Sequence, residues 1–326
     1  MEKKVVERKK GYTLFSKAST QKSLEKNKYI ASGAHGNIYK YCLSNSKCLV
    51  VKKSYIDKRE SKHINNQFDI KAFKHNVFIE YASMQLTNQL VLQKICPNFG
   101  LNYNHIVKER IGVCSDEYPY KSLLYNELID GESYDKWVRK EHSTKEFYNA
   151  YFQIMAAVHS LQKYLNMVHL DLHSKNILVT KVKKGGYWKY KIDDTDYYIP
   201  NMGYIFYIID FDQAWIPGTF KSWFIKEKYN KNKIHKGFDI MFLFRSTLHF
   251  SKSTKTFKDQ VRTVINKLRK NEGFSDVMYD MYGKIFCKDN LWKHLRPADR
   301  HHIETYNLNK RFKKQSLPAA LRFIPK

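Results

Sequence analysis

MVHLDLHSKNILV, residues 167–179, and FYIIDFDQAW, residues 206–215, are the two pieces of sequence on which the reading of the fold turns. The first sets His169, Asp171 and Asn176 at intervals of two and five, followed by the apolar Ile177, Leu178 and Val179, which read as a strand. The second sets Asp210 and Asp212 after the apolar run Tyr207, Ile208 and Ile209. Polar groups at the ends of buried strands are held rigidly, and these supply a base and two metal ligands. A carboxylate at Asp171 can accept a hydroxyl proton, while the Asn176 amide oxygen and the Asp210 carboxylate are hard donors suited to Mg2+. Phosphoryl transfer from a nucleotide needs such a set, because its catalysis consists of holding metal and phosphates and orienting the acceptor hydroxyl. Each residue alone is an ordinary turn residue; the joint occurrence of HxDxxxxN, two apolar strands and DFD carries the reading.

Upstream, YIASGAHGNIYKYCL and CLVVKKS flank the polar turn Ser44–Lys47 and read as β-strands around a glycine-bearing loop. Gly33 and Gly36 let backbone N–H groups approach phosphate oxygens with no Cβ in the way. The run Leu49, Val50, Val51 ends in Lys52; strand alternation turns only one of Lys52 and Lys53 inward, and Lys52 is the choice, with Lys53 the alternative. Ile70–Ile95 places Phe73, Val77, Tyr81, Met84, Leu86 and Leu90 at mostly helical spacing and reads as a helix carrying Glu80. IVKERIGVC and SLLYNELIDG read as strands. Ser143 and Glu146 form a capping box opening a long amphipathic helix that feeds into MVHLDLHSKN. Gly185 and Gly186 read as a hairpin turn. Gly237, Phe238, Asp239 and Ile240 open another helix, and helical patterns follow at Phe257–Leu268 and near Val277–Phe286.

At these residues the chain resembles the protein kinase superfamily, whose catalytic loop reads HRDLxxxxN and whose metal loop reads DFG. The resemblance implies an α+β, two-lobed protein-kinase-like fold with a β-rich N-lobe and a mainly α-helical C-lobe. Its implied division is a basic extension over 1–27, the N-lobe and hinge over 28–131, and the C-lobe over 132–326 with a hairpin insert at about 180–206. It implies ATP as phosphoryl donor with Mg2+, or Mn2+, on Asn176 and Asp210. Asp171 is then the catalytic base, Lys52 the phosphate-holding lysine and Glu80 its partner. Nucleotide contacts fall to Ala31, Gly33, Gly36, Ile38 and Lys52, and in the hinge YNELIDG to backbone groups of Glu127 and Ile129, with Asn126 at the gate behind the pocket. Several positions depart from the pattern. Ala31 stands where a further glycine is usual, and Leu170 stands where an arginine reads activation-loop phosphorylation. His173 replaces the catalytic-loop lysine, for which Lys175 is the substitute, and Asp212 replaces the metal-loop glycine. Asp239 is expected to brace the catalytic loop. The long insert resembles haspin-type kinases and the kinases of large DNA viruses.

The chain has 326 residues, 43% hydrophobic and 15% aromatic, enough for two cores and far from the composition of disorder. Its 58 basic against 31 acidic residues give a formal charge of +27 spread along the length, which favours acidic proteins or polyanions as neighbours. Protein substrates, acidic or nucleic-acid-associated, and direct nucleic-acid binding are therefore in view; no nucleic-acid-binding motif accompanies the charge. The five cysteines, Cys42, Cys48, Cys96, Cys114 and Cys287, contain no CxxC pair and read as reduced thiols of an intracellular protein. Cys42 and Cys48 could face each other across a hairpin, but buried packing is the expectation. MEKKVVERKKGYTLF lacks the apolar core of a signal peptide, and no stretch has the ~20 apolar residues of a membrane helix. This places the protein in a cell interior, in host cytoplasm or virion for a viral protein. The preferred acceptor is a protein serine or threonine hydroxyl. A small-molecule kinase of the aminoglycoside or choline phosphotransferase type stays open, because DLHxxN and IDFDxA resemble those loops too. So does a basic pseudokinase scaffold.

Overall fold

A computed structural model of the protein describes Arg8 and residues 26–33, 36–44, 47–56, 76–109, 118–192, 195–217, 237–270, 277 and 304–307. The basic tail with Lys310, Arg311, Lys313 and Lys314, the thiols of Cys114 and Cys287, and the start of the helix read from Ile70 lie outside those residues.

Apolar alternation in the chain up to Glu127 produces β1 (Lys26–Gly33), β2 (Gly36–Ser44), β3 (Lys47–Ile56), β4 (Asn102–Glu109) and β5 (Tyr120–Glu127). They form one sheet in the order β1-β2-β3-β5-β4, every neighbouring pair antiparallel. Helix α1 (Asn76–Leu92) packs across it, with the Phe78 and Tyr81 rings against His105 of β4. Polar side chains tie helix to sheet as well: Gln85 and Asn88 of α1 donate to Asn102, whose own Nδ2 donates to Asn126 of β5. The polar gate at Asn126 is thus the end of a buried amide network, and a buried amide is stable only when so bonded.

The helical body is built on α3 (Thr144–Leu165), which opens with the expected capping box, Ser143 Oγ accepting from the Glu146 N–H and Glu146 returning to the Ser143 N–H. It closes at Asn166 in the left-handed conformation, as helix ends commonly do. Around α3 lie α2 (Tyr134–Trp137), α4 (Phe238–Thr247) and α5 (Lys255–Arg269). Trp137, fully buried, gathers the rings of Tyr134, His142, Phe147, Tyr204 and Phe206. Strands β6 (Glu132–Ser133), β7 (Ile177–Lys181) and β10 (Tyr204–Ile208) form a small sheet in the order β10-β7-β6. A third sheet joins the antiparallel pair β8 (Tyr187–Ile192) and β9 (Thr195–Pro200) to β11 (Glu304–Asn307), parallel to β8. The molecule is therefore α+β, with its largest antiparallel sheet formed by strands up to Glu127. No helix of the described residues is long and apolar enough to cross a membrane.

Two expectations are corrected. Gly185 and Gly186 do not turn a hairpin, because β7 pairs with β10 and β8 with β9. They form a corner, both at positive φ, where the chain leaves one sheet for the next and exchanges backbone bonds with Asn201. Cys42 and Cys48 are disulfide-bonded, not separate thiols: register sets them directly opposite each other in β2 and β3, with Cα atoms 3.9 Å apart. Cys96 is a free buried thiol, its pKa pushed up to about 12 by burial, so it stays protonated and inert.

Candidate active site

Strand register assembles the site. Ile38 of β2 lies opposite Lys52 of β3, and Ala31 of β1 lies opposite Ile38, so three expected nucleotide-contacting positions form one row across the sheet. Gly33 pairs with Gly36 where β1 turns into β2. A Cβ on Gly36 would run into the Lys53 carbonyl oxygen, so glycine is required where β2 starts against β3. Alternation turns Lys53 to the other face, where its ammonium sits 4.0 Å from the centre of the Tyr39 ring. Lys52 is the inward lysine.

The Lys52 ammonium lies 3.0 and 2.9 Å from the two oxygens of Glu80, in α1, and 2.7 Å from Asp210 Oδ1. Burial opposes its charge, but Glu80, Asp210 and Asp212 outweigh burial and raise its pKa above the ordinary lysine value. Burial likewise lifts the Glu80 carboxyl, while Lys52 pulls it back. With bidentate contacts this short, the pair is ionised. Asp212, the residue in place of the metal-loop glycine, is buried.

The second half of the site comes from the pairing of β7 with β10. Ile177 is opposite Ile208, which sets Asn176 beside Ile209, and the Ile209 N–H donates to the Asn176 carbonyl at 3.0 Å. Asp210, next in line, adopts left-handed backbone with φ 65°. Asn176 Nδ2 donates to the Asp171 carbonyl at 2.9 Å and approaches Asp171 Oδ2 at 3.3 Å, which leaves its amide oxygen for another partner. Val168 and Trp215 exchange backbone hydrogen bonds at 2.9 and 2.8 Å, tying the outer ends of the two quoted segments together.

Asp239, fully buried at the start of α4, accepts the N–H groups of His169 and Leu170, both at 3.0 Å. That brace holds Leu170 in left-handed backbone, φ 64°, directly before Asp171. His169 accepts the Asp171 N–H at Nδ1 and faces the Ile209 carbonyl with Nε2 at 3.0 Å, so the proton belongs on Nε2 and the ring links the two loops. His173 Nδ1 accepts the Lys175 N–H, and its Nε2 lies 3.6 Å from Asp171 Oδ2. Lys175 itself is exposed and contributes its backbone to the loop.

The hinge residues sit at the edge of this cluster. Ile129 lies close to Gly100, and Gly100 close to Ile209, which precedes Asp210. The Glu127 N–H donates to the Leu101 carbonyl at 2.7 Å, and its carboxylate takes the Leu101 N–H and the Arg8 guanidinium. Neither group is available to a bound base. The structure thus links Lys52 to Glu80 and Asp210 and Asp171 to Asn176, sets Ala31, Gly33, Gly36 and Ile38 in the sheet that carries Lys52, and leaves the Lys175 side chain exposed beside Asn176. Sequence reasoning missed Arg8, Asn98 and Asn102. The two asparagines were findable as polar residues inside the apolar run CPNFGLNY, where burial demands partners.

No protein-family model matches the chain. It is, however, similar to serine/threonine kinases of large DNA viruses, as the motifs imply. One relative is "Probable serine/threonine-protein kinase 380R" of Invertebrate iridescent virus 6, 28% identical over 151 residues, 41% of this chain and 26% of that protein. Another is "Putative serine/threonine-protein kinase 019R" of Frog virus 3 (isolate Goorha), 40% identical over 65 residues, 19% of this chain and 8% of that protein. A third, "Probable kinase 098L" of Invertebrate iridescent virus 3, is 24% identical over 115 residues, 33% and 21% of the respective chains. Each match spans about a quarter or less of the relative's length.

Proposed function

We propose that this protein is a phosphotransferase of two-lobed protein-kinase-like fold, with residues 28–131 as N-lobe and hinge and 132–326 as C-lobe, that moves the terminal phosphoryl group of ATP to serine or threonine hydroxyls of proteins. The observation that carries the reading is the Lys52 ammonium seated between Glu80 and Asp210, residues 28 and 158 positions away, beside a loop that places Asp171 against Asn176. A structural ion pair needs one carboxylate. A lysine kept charged by two from distant elements, next to further oxygen donors, suits a site that receives a polyphosphate.

The donor set fits Mg2+ or Mn2+: Asp210 and the Asn176 amide oxygen are hard ligands and would hold the ion, with no cluster of three acidic, histidine or cysteine groups among the described residues to compete. The chemistry the ion supplies when bound is neutralisation of charge on the phosphates. The protein's own residues do the rest. Lys52, fixed by Glu80, holds phosphate oxygens, and the row Ala31, Ile38 and Lys52 with the glycines covers the nucleotide. Asp171, oriented by Asn176 with His173 beside it, accepts the proton of the acceptor hydroxyl as that oxygen bonds to phosphorus and the nucleoside diphosphate leaves. The relatives' names favour a protein acceptor, and a place in host cytoplasm or virion is part of the same proposal.

Incubation with labelled ATP, Mg2+ and acidic protein, basic protein or small amino-alcohol and sugar acceptors tests this. Label is expected on serine or threonine of protein. Asp210→Ala should abolish transfer, and Asp171→Asn should lower turnover at least 100-fold while sparing nucleotide binding, on the order of the loss of general-base assistance. Label confined to a small molecule moves the protein to the aminoglycoside or choline phosphotransferase type. Equal signal from wild type and both variants leaves a basic scaffold.

A further inference from the structure

Pro97–Leu101 is a buried stretch between α1 and β4 with no regular ladder for its backbone. Its carbonyls need donors, since a buried unbonded carbonyl costs about as much as a lost hydrogen bond. A residue some ninety positions upstream supplies two of them. Arg8 donates from Nη1 to the Pro97 carbonyl at 3.1 Å and from Nη2 to the Phe99 carbonyl at 2.5 Å. The same guanidinium forks onto Glu127 at the end of β5, Nε to Oε1 at 2.9 Å and Nη2 to Oε2 at 2.7 Å, and lies 5.4 Å from the centre of the Tyr207 ring.

Every one of these partners leads into the site. Glu127 pairs with Leu49, three residues before Lys52 on β3. Asn98 accepts the Ile208 N–H at 2.9 Å and donates from Nδ2 to the Phe206 carbonyl at 2.8 Å, and Phe99 bridges to Ile208, two residues before Asp210. Tyr207 is on the same strand. One side chain therefore fastens the end of β5, which pairs with the strand carrying Lys52, to the 97–101 segment, on which the strand end leading to Asp210 is bonded.

We propose that Arg8 is a positioning residue for the nucleotide site: it locks the hinge end of β5, the 97–101 segment and the strand that leads to Asp210 into one body, so that the Lys52–Asp210 spacing is set before nucleotide arrives. This rests on the phosphotransferase reading. An exposed ion pair would do little here, but the Arg8 and Glu127 side chains are only 10% and 17% exposed, and a planar fork onto a carboxylate plus two carbonyls is a geometry that lysine cannot reproduce. The first two dozen residues, unreadable in the sequence, thereby contain a residue that shapes the site.

The test uses the full chain. Arg8→Ala and Glu127→Gln should each raise the KM for ATP about tenfold with kcat within about threefold, the measure of a site that binding must first assemble. The double variant should be no worse than the worse single, because the two residues act through one contact. Arg8→Lys should fall nearer Arg8→Ala than wild type. In nucleotide-free protein, hydrogen exchange at the Leu101 and Ile208 amides should quicken at least tenfold in Arg8→Ala, with α5 unchanged. A folded Arg8→Ala with wild-type KM and exchange overturns the inference, as do single-variant effects that multiply in the double. Should Arg8→Ala fail to fold, Arg8→Lys is read by the same exchange, and wild-type protection at both amides overturns the inference. A wild type that neither binds nor turns over ATP refutes the phosphotransferase reading instead, and the exchange measurement still decides whether Arg8 fastens the segment.

Discussion

His142 is stacked on Trp137 with ring centres 3.7 Å apart, and its Nε2 faces the Trp137 carbonyl at 2.9 Å. Burial lowers its pKa below the ordinary 6.5, with Lys140 adding to the effect and the Trp137 carbonyl, Glu146 and Glu132 opposing it. The folded protein therefore resists a proton that the unfolded chain accepts, so the stability this ring contributes is whole above about pH 6.5 and is lost as pH falls below it. The thermal midpoint of the wild type should drop between about pH 7.5 and about pH 5.5, and His142→Phe, which keeps the stack without the titration, should drop less. Equal drops would remove the ring from the acid response. Residues of the two motifs were legible because their chemistry fixes both type and spacing, and Lys52 could be preferred to Lys53 because strand geometry allows only one inward. His142 was not, since nothing local announces which ring will lie beneath it. The Cys42–Cys48 bond was half legible: a four-residue turn sets the two in register, but whether sulfurs pair or merely pack is not a property of spacing.

Helix α4 earns its place through its first turn. Asp239 is buried, with its pKa raised chiefly by that burial, and its two oxygens hold the successive N–H groups of His169 and Leu170. Asp239→Ala would leave both donors buried and unbonded, at roughly 1–3 kcal/mol each, and release Leu170 from left-handed backbone. A loss of about 2–6 kcal/mol in unfolding free energy from denaturant titration is expected, with turnover falling further than stability alone explains because Asp171 follows Leu170. Asp239→Asn, which keeps one acceptor, should lie between, and a fully active Asp239→Ala would show that the loop holds itself. Helices were legible at this scale because period and caps are local: the Ser143–Glu146 box and the Phe257–Leu268 pattern both lie in the elements they announce. Gly185 and Gly186 were misread because a glycine pair signals a change of direction, not which strands flank it. The β7–β10 pairing that settles the matter joins residues about thirty apart.

Across the middle of the molecule polar contacts run beside a continuous apolar core: Lys52 to Asp210, Arg8 to Glu127 and the 97–101 carbonyls, Asn98 to Gln153 of α3 and to the strand before Asp210. The polar partners lie 55 to 158 residues apart, beyond what a sequence window displays, so the α+β class could be read while this fastening could not. Charge is the one whole-molecule property that composition does give. A surplus of 27 positive charges along the chain raises the local concentration of anionic partners, and the effect must weaken as salt shortens its range. Raising ionic strength from about 0.02 M to about 0.3 M cuts the screening length from roughly 20 Å to roughly 6 Å. If the field recruits acceptors, kcat/KM for an acidic protein substrate should fall about tenfold or more over that range, while kcat/KM for a neutral peptide bearing the same phosphorylated residue changes by less than about threefold. Turnover at saturation should stay constant for both, because a long-range field acts on encounter and not on the proposed proton transfer at Asp171. A common loss for both substrates would assign the salt effect to the short-range cluster around Lys52, and no loss for either would make the basic surface irrelevant to substrate choice.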